Sequence, residues 1–246
     1  MDTVTAILVD GGFYRKQARK LFGEKEPSER ADELMKYCFR HLNPDYVGEQ
    51  KRLYRIFYYD CEPSKKTIFN PLTQRSVNLS KTPQYDWTNN FFKALSEQRK
   101  VALRMGELSD TNASYNLKPE ITKKLLKGDI SISDITENDL ILDIQQKGVD
   151  MRIGLDIASL AFKRLVNQIV LLAGDSDFVP AAKYARREGI DFILDPLRHP
   201  IKDSLNLHID GKVTRTGLIG NNKNDKLCKL QINEDKSKIK KTIHYE

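Results

Sequence analysis

A five-residue apolar run at 169–173, followed at once by the motif GDSDF at 174–178, constrains the fold more than any other stretch. The run is short and rich in branched residues, which predicts a strand buried on both faces. Asp175 and Asp177 then lie together at the end of that strand, where their negative charges repel each other. A hydrated Mg²⁺ or Mn²⁺ ion would offset this repulsion, whereas a single aspartate there would be explained as a helix cap.

Strand-like and helix-like segments alternate along the chain. Short apolar runs predict strands at 5–9, 53–59, 101–105, 169–173 and 190–194. Apolar residues at helical spacing predict helices at 29–42, 85–95, 151–165 and 180–188. This order is typical of an α/β fold in which a mostly parallel central sheet carries helices on both faces.

One domain is predicted over residues 1–220, followed by a lysine-rich C-terminal tail at 221–246. Within the domain, 62–83 is predicted to be an irregular connection. Residues 107–143, where Ser, Asn, Thr and Asp recur, are predicted to be a structured insertion at the periphery. The tail is predicted to be a solvated end rather than a binding arm.

The net charge of +7 and the pI near 9.1 permit a polyanionic partner such as RNA or DNA. No apolar run approaches the roughly 20 residues needed to cross a bilayer, so no membrane association is predicted. The first residues lack the pattern of a secretory signal. Cys38, Cys61 and Cys228 are odd in number and widely spaced, which favours a reducing compartment, by default the cytoplasm, over disulfides or a zinc site.

Four predicted strands lead into an aspartate: Asp10, Asp60, Asp175 and Asp195. Ligands of parallel sheets bind beyond the carboxyl ends of the strands, so these side chains are expected at the ligand-binding edge. Turn and capping roles also favour Asp at strand exits. The pair Gly11-Gly12 after Asp10 permits a tight turn and leaves room for a ligand, whereas Pro196 after Asp195 favours a turn role there.

The helix predicted at 151–165 adds two carboxylates. Asp150 lies about 40° from the centre of the apolar stripe of this helix, so its side chain is expected to point over the carboxyl ends of the strands. In the alternative, a plain N-cap residue, the side chain would not need to point there. Asp156 lies about 80° from the stripe centre, so a surface position suits it as well as a metal-ligating one. Basic and hydroxyl side chains near these carboxylates are candidates for contacting phosphates, with solvated or capping roles as the alternatives: Arg15, Lys147, Arg152 and Ser176.

Signals for nucleotide-dependent or acyl-transfer chemistry are missing. The chain has no G-x-x-x-x-G-K-[ST] motif, no G-x-G-x-x-G after a strand and no G-x-S-x-G elbow. His199 and His208 fall in a polar loop and are predicted to be surface residues rather than a catalytic base.

Three motifs together resemble the NYN domain, which belongs to the PIN-like nuclease superfamily, and within it the bacterial LabA-like, DUF88 group. They are ILVDGGF at 7–13, KGVD at 147–150 and GDSDF at 174–178, and the resemblance spans residues 3–215. It implies a Rossmann-like PIN fold and cleavage of RNA, with single-stranded RNA favoured, that depends on Mg²⁺ or Mn²⁺. A homodimer is expected from fold analogy alone.

The resemblance also assigns site residues. Asp10, Asp150, Asp175 and Asp177 match the acidic positions of the family, and Asp156 is a weaker match. One departure motivates an alternative function, because Gly12 and Phe13 stand where many relatives carry an Asn. The alternative is a non-catalytic RNA-binding or regulatory module. A phosphatase would fit the same carboxylates, but the expected nucleophile or phosphate clamp is not found.

Overall fold

A central sheet organises the protein in the computed structural model, which describes residues 2–43 and 50–216. The strands in these ranges are β1 (Asp2–Asp10), β2 (Gln50–Cys61), β3 (Thr67–Asn70), β4 (Arg75–Asn78), β5 (Val101–Leu117), β6 (Leu140–Lys147), β7 (Gln168–Leu172), β8 (Asp191–Asp195) and β9 (Gly211–Lys212). The α-helices are α1 (Gly11–Phe22), α2 (Pro27–Arg40), α3 (Pro83–Ser96), α4 (Pro119–Lys127), α5 (Val149–Phe162), α6 (Val179–Arg187) and α7 (Asp203–Asn206).

The sheet is parallel except at one edge. Its strand order is β6-β5-β2-β1-β7-β8-β9, and only the β5–β6 pair is antiparallel. From β1 the chain moves to β2 on one side, whereas from β7 it moves to β8 on the other side. The carboxyl ends of β1 and β7 therefore flank the point where the strand order reverses, which is where open α/β sheets bind their ligands.

Alternating side chains of β1 fill two separate core layers. Ala6 and Leu8 pack with α5 and α6 on one face of the sheet. Ile7 and Val9 pack with α1, α2 and α3 on the other face. All four are completely buried, which explains why the sequence of this strand is apolar without interruption. The predicted fold class, a mostly parallel sheet with helices on both faces, is confirmed.

Two segments are more regular than the sequence indicates. Residues 62–83 contain the antiparallel hairpin β3–β4, so the prediction of an irregular connection is wrong. In 107–143, β5 continues to Leu117 and pairs with β6, and α4 lies between the two strands. These strands are polar because they are largely exposed, so they lack the apolar runs that reveal buried strands.

The predicted domain end at 220 and the tail 221–246 lie outside the described residues. Within the described ranges, no helix has both the length and the apolar character needed to traverse a bilayer.

Candidate active site

The strand-order reversal brings the predicted carboxylates to one edge of the sheet, a region that we call the acidic crevice. Asp10 is the last residue of β1, and Asp175 follows β7, which pairs directly with β1. Asp150 lies in the first turn of α5, whose buried face packs on the same strands. Gly148 precedes this helix with a φ of 77°, a left-handed conformation that glycine adopts without strain and that turns β6 into α5.

Asp10 is partly buried within this crevice. Its side chain accepts a hydrogen bond from the Phe13 amide at 3.1 Å, so it also caps α1. Burial, and after it the negative charges of Asp150 and Asp60, raise the pKa of Asp10 to about 6 against the opposing effect of the Phe13 amide. The capping role and a partly buried, destabilised charge therefore coexist in one side chain.

Asp150 interacts electrostatically with Asp10 and also with Asp175 and Asp177. Partial burial raises its pKa, and the charges of Asp175 and Asp177 raise it further. Asp175 begins a single helical turn at 176–178 by accepting the Asp177 amide at 3.1 Å. Asp10 thus interacts with Asp150, and Asp150 with Asp175 and Asp177, so repulsive interactions link the four carboxylates.

These carboxylates suit a hard, hydrated cation, but they do not form a complete set of metal ligands. Among residues 2–43 and 50–216, no three His, Cys, Asp or Glu side chains stand close enough to hold a metal ion by themselves. Mg²⁺ typically keeps several water ligands and takes only one or two carboxylates together with phosphate oxygens of the substrate. Carboxylates that repel one another at a crevice match that mode of binding.

Asp156 and Ser176 have partners of their own. The Asp156 carboxylate accepts the Tyr59 hydroxyl at 2.8 Å and lies 3.1 Å from the Arg104 Nε, so its charge is already compensated. Ser176 accepts a hydrogen bond from Lys202 at 3.2 Å, which places a cation beside the acidic turn.

Arg15 is fixed by a buried ion pair. Its guanidinium lies 2.9 Å from both carboxylate oxygens of Asp60, which is completely buried. Asp60 also accepts hydrogen bonds from the Tyr58 hydroxyl, the Cys61 amide and the Gln146 side chain. Asp60 is therefore a structural carboxylate that orients Arg15. The other predicted phosphate contacts, Lys147 and Arg152, are exposed at the β6–α5 junction.

Asp195 has the structural role that its position before Pro196 predicts. It accepts the Leu197 amide at 2.8 Å and the Thr214 hydroxyl at 3.1 Å. The Tyr37 hydroxyl donates to the same carboxylate, and the His41 Nε2 lies 2.8 Å from it. This fully buried aspartate joins α2 to the turn after β8 and is not available to a ligand.

Sequence reasoning missed Gln146 and Lys202 and placed His199 only on the surface. Gln146 reaches from β6 to Asp60, and its side-chain oxygen lies 3.4 Å from the point where a Cβ on Gly12 would stand. His199 is exposed but packs edge-on against Phe13, with ring centroids 5.8 Å apart. Gly174 lies between these rings, since a Cβ there would stand 2.6 Å from Phe13. No local pattern signals these contacts, because each joins segments far apart in the chain.

A model of the NYN domain family matches residues 78–200, which are 123 of the 246 residues. The chain belongs to the NYN domain family. NYN domains are part of the PIN-like nuclease superfamily, are generally nucleases and typically use divalent metals. The matched part of this NYN protein contains Asp150, Asp175 and Asp177, whereas Asp10 precedes it. The narrower assignment to the LabA-like, DUF88 group stays a prediction.

No curated protein matches the chain. Among solved structures, a protein of unknown function from Vibrio parahaemolyticus is similar, with 13% sequence identity and a TM-score of 0.44. The similarity covers 87% of this NYN chain and 94% of the Vibrio chain.

Proposed function

We propose that the protein is a divalent-metal-dependent ribonuclease that hydrolyses RNA phosphodiester bonds in the crevice of Asp10, Asp150, Asp175 and Asp177. The observation that carries the proposal is the mutual repulsion of these carboxylates at the strand-order reversal. Membership of the NYN family supports a nuclease activity and an RNA substrate. The net charge of +7 favours association with a polyanion.

In this proposal Asp10, Asp150 and Asp175 hold Mg²⁺ or Mn²⁺ directly or through water, and Asp177 adds to the negative charge. When bound, such an ion lowers the pKa of a water molecule and offsets charge on the leaving 3′ oxygen. Asp156 is left out of the ligand set because Tyr59 and Arg104 already hold its carboxylate.

Basic residues around the crevice bind the RNA in this proposal. Arg15 is pre-oriented by Asp60 and presents a fixed guanidinium beside Asp10. Lys147, Arg152 and Ser176 lie next to the acidic residues in the chain and contact flanking phosphates. No nucleophilic side chain is required, because the attacking group is water.

Cleavage of a fluorescent single-stranded RNA in Mn²⁺ tests this proposal. Wild type is compared with Asp175→Asn and with the control Asp134→Asn, which removes an exposed carboxylate that caps a distant turn. We expect Asp175→Asn to lower kcat at least about 100-fold and the control to leave it unchanged. Equal cleavage by wild type and Asp175→Asn, or no cleavage by wild type at high enzyme concentration, would overturn the proposal.

A non-catalytic RNA-binding module is the second candidate. It is favoured by the lack of a finished three-residue metal cage among the described residues and by Gly12-Phe13 at a position where an Asn is expected. RNA binding that persists in EDTA, with no cleavage in Mg²⁺, Mn²⁺, Co²⁺ or Zn²⁺, would select this function.

A further inference from the structure

A cavity lies close to the acidic crevice, on the face of the sheet that carries α1. It has a volume of about 280 Å³, and Gly12, two residues after Asp10, forms part of its wall. We call it the α1 cavity. Five basic residues line it: Arg15, Lys16, Arg19, Lys20 and Arg30.

Charge in the α1 cavity is not fully compensated. Arg15 pairs with Asp60, Arg19 with Glu24 at 2.8 Å, and Arg30 with Glu33. Within the part of the chain that the structure describes, the five cations that line the cavity exceed these three carboxylates by two charges. Lys16 and Lys20 carry that excess at i, i+4 spacing, exposed on one side of α1.

Arg15 also offers a hydrogen-bond donor. Its Nε is buried and has no hydrogen-bond partner within the described residues 2–43 and 50–216. Buried donors are almost always paired, so a lone one beside a cavity points to an acceptor that binds there. Gly12 also lines the cavity and lies two residues after Asp10, so the α1 cavity is close to the acidic crevice.

An aromatic ring completes the wall. Trp87 lines the cavity and stacks on Phe91 with centroids 5.2 Å apart. Its indole N–H already donates to the Lys25 carbonyl at 2.9 Å, so the ring offers apolar surface rather than a donor. Cations around an aromatic ring are the combination with which proteins bind single-stranded nucleic acids.

We propose that the α1 cavity binds one phosphate-bearing nucleotide of a single-stranded RNA, next to the bond that is cut. Lys16, Lys20 and the Arg15 Nε contact the phosphate, and Trp87 packs against the sugar or base. The volume is near the lower end of the roughly 300–1,000 Å³ found for small-ligand pockets, which suits one nucleotide and excludes a duplex. This inference rests on the proposed ribonuclease function and assigns the path of its substrate.

The chain provides its own probe of this site, because Trp87 is its single tryptophan. Trp87 fluorescence is followed while a 12-nucleotide single-stranded RNA is added to the full chain in EDTA, where no cleavage occurs. We expect quenching that saturates for the single strand and at least about tenfold weaker binding of the same sequence as a duplex. Uridine 5′-monophosphate tests a free phosphate source and is expected to bind more weakly than the strand.

Charge removal tests the contact residues. Lys16→Gln/Lys20→Gln is compared with Lys123→Gln/Lys127→Gln, an exposed pair at the same spacing on α4 that does not line the cavity. We expect the first variant to bind RNA about tenfold more weakly and to lose roughly 1.4 from the slope of log K against log salt, and the control to match wild type. Both variants remove two lysines from exposed helix positions, so both are expected to fold.

Several outcomes would overturn the inference. These are wild-type affinity in Lys16→Gln/Lys20→Gln, an equal loss in the control pair, unchanged Trp87 fluorescence at saturating RNA, and competition by polyglutamate as strong as that by RNA. The binding experiment does not depend on cleavage. A failure of the ribonuclease proposal therefore appears as absent cleavage with cavity binding intact, whereas a failure of this inference appears as cleavage with an unchanged KM in Lys16→Gln/Lys20→Gln.

Discussion

Asp10 combines a structural and a chemical property in the same carboxylate. As the cap of α1 it satisfies the Phe13 amide, and as a partly buried acid facing Asp150 it carries a charge that the fold disfavours. Sequence reasoning treated the cap and the ligand as alternatives. In the structure, one carboxylate oxygen of Asp10 caps α1 while the negative charge of the carboxylate still interacts with Asp150.

This destabilised charge predicts that Asp10→Asn stabilises the metal-free protein. The pKa of Asp10 rises from 3.8 to about 6 on folding, so the folded state holds the proton more tightly than the unfolded state. Stability is therefore lost as the pH rises from about 4 to about 6, and the loss persists at pH 7.5. The shift corresponds to at most about 3 kcal/mol, and Asn keeps the cap.

Urea unfolding in EDTA at pH 7.5 and pH 4 measures the effect. Asp10→Asn should be about 1–3 kcal/mol more stable than wild type at pH 7.5, and the two should converge at pH 4. A variant that is less stable than wild type at pH 7.5 would contradict the assigned pKa shift.

The glycines after Asp10 show a limit of prediction from the sequence. Gly11-Gly12 was expected to leave room for a ligand. The space at Gly11 is instead taken by the protein itself, since a Cβ there would stand 2.5 Å from the Tyr58 ring and 2.6 Å from the Asp60 carboxylate. Gly12, in contrast, lines the α1 cavity. The glycine motif indicates that another group approaches the backbone closely, but it does not indicate which group.

Among the elements, the buried strands could be predicted and the exposed ones could not. β1, β7 and β8 stand out as apolar runs because both faces of the sheet are covered there. β6 and the second half of β5 pair with each other at the sheet edge, where polar residues are tolerated. The positions of Asp10 and Asp175 in the acidic crevice could be predicted because they follow apolar strands, and that of Asp150 because it lies on the helix α5, which has an apolar stripe. Gln146 could not be predicted, because it lies on β6.

Asp195 links several elements, and its loss is predicted to destabilise the fold. Asp195→Ala would leave the Tyr37 hydroxyl, His41 and the Leu197 amide without their buried acceptor. Leaving such groups unpaired costs about 3 kcal/mol or more. Because Asp195 does not face the crevice, RNA cleavage per folded molecule should not change.

Thermal unfolding and a cleavage assay at 15 °C separate these effects. The matched variant is Asp175→Asn, in which the expected losses are reversed: stability is kept and cleavage is lost. A drop in cleavage by Asp195→Ala that exceeds its drop in folded fraction would show that this aspartate acts in the reaction.

Across the whole molecule, the strand-order reversal concentrates negative charge in a protein whose net charge is positive. In the proposed function the acidic crevice binds a divalent cation, and the α1 cavity beside it carries the opposite charge. A polyanion can therefore approach the acidic crevice only if its phosphates bind the cations of the α1 cavity or if a metal ion offsets the charge of the carboxylates. In the proposed function, an RNA strand that spans the two sites meets the first condition and a bound metal ion meets the second.

A cation that relieves this repulsion must stabilise the folded state as a whole. We predict that 10 mM MgCl₂ or MnCl₂ at pH 7.5 raises the Tm of wild type, because a ligand at ten times its Kd contributes about 1.4 kcal/mol. Asp150→Asn should abolish the rise, since Asp150 is the carboxylate that interacts with both sides of the crevice. Asp32→Asn, which removes an exposed carboxylate on α2, should keep it. Calorimetry of the three proteins with and without metal, at constant ionic strength, measures this, and an equal rise in all three would place the cation elsewhere.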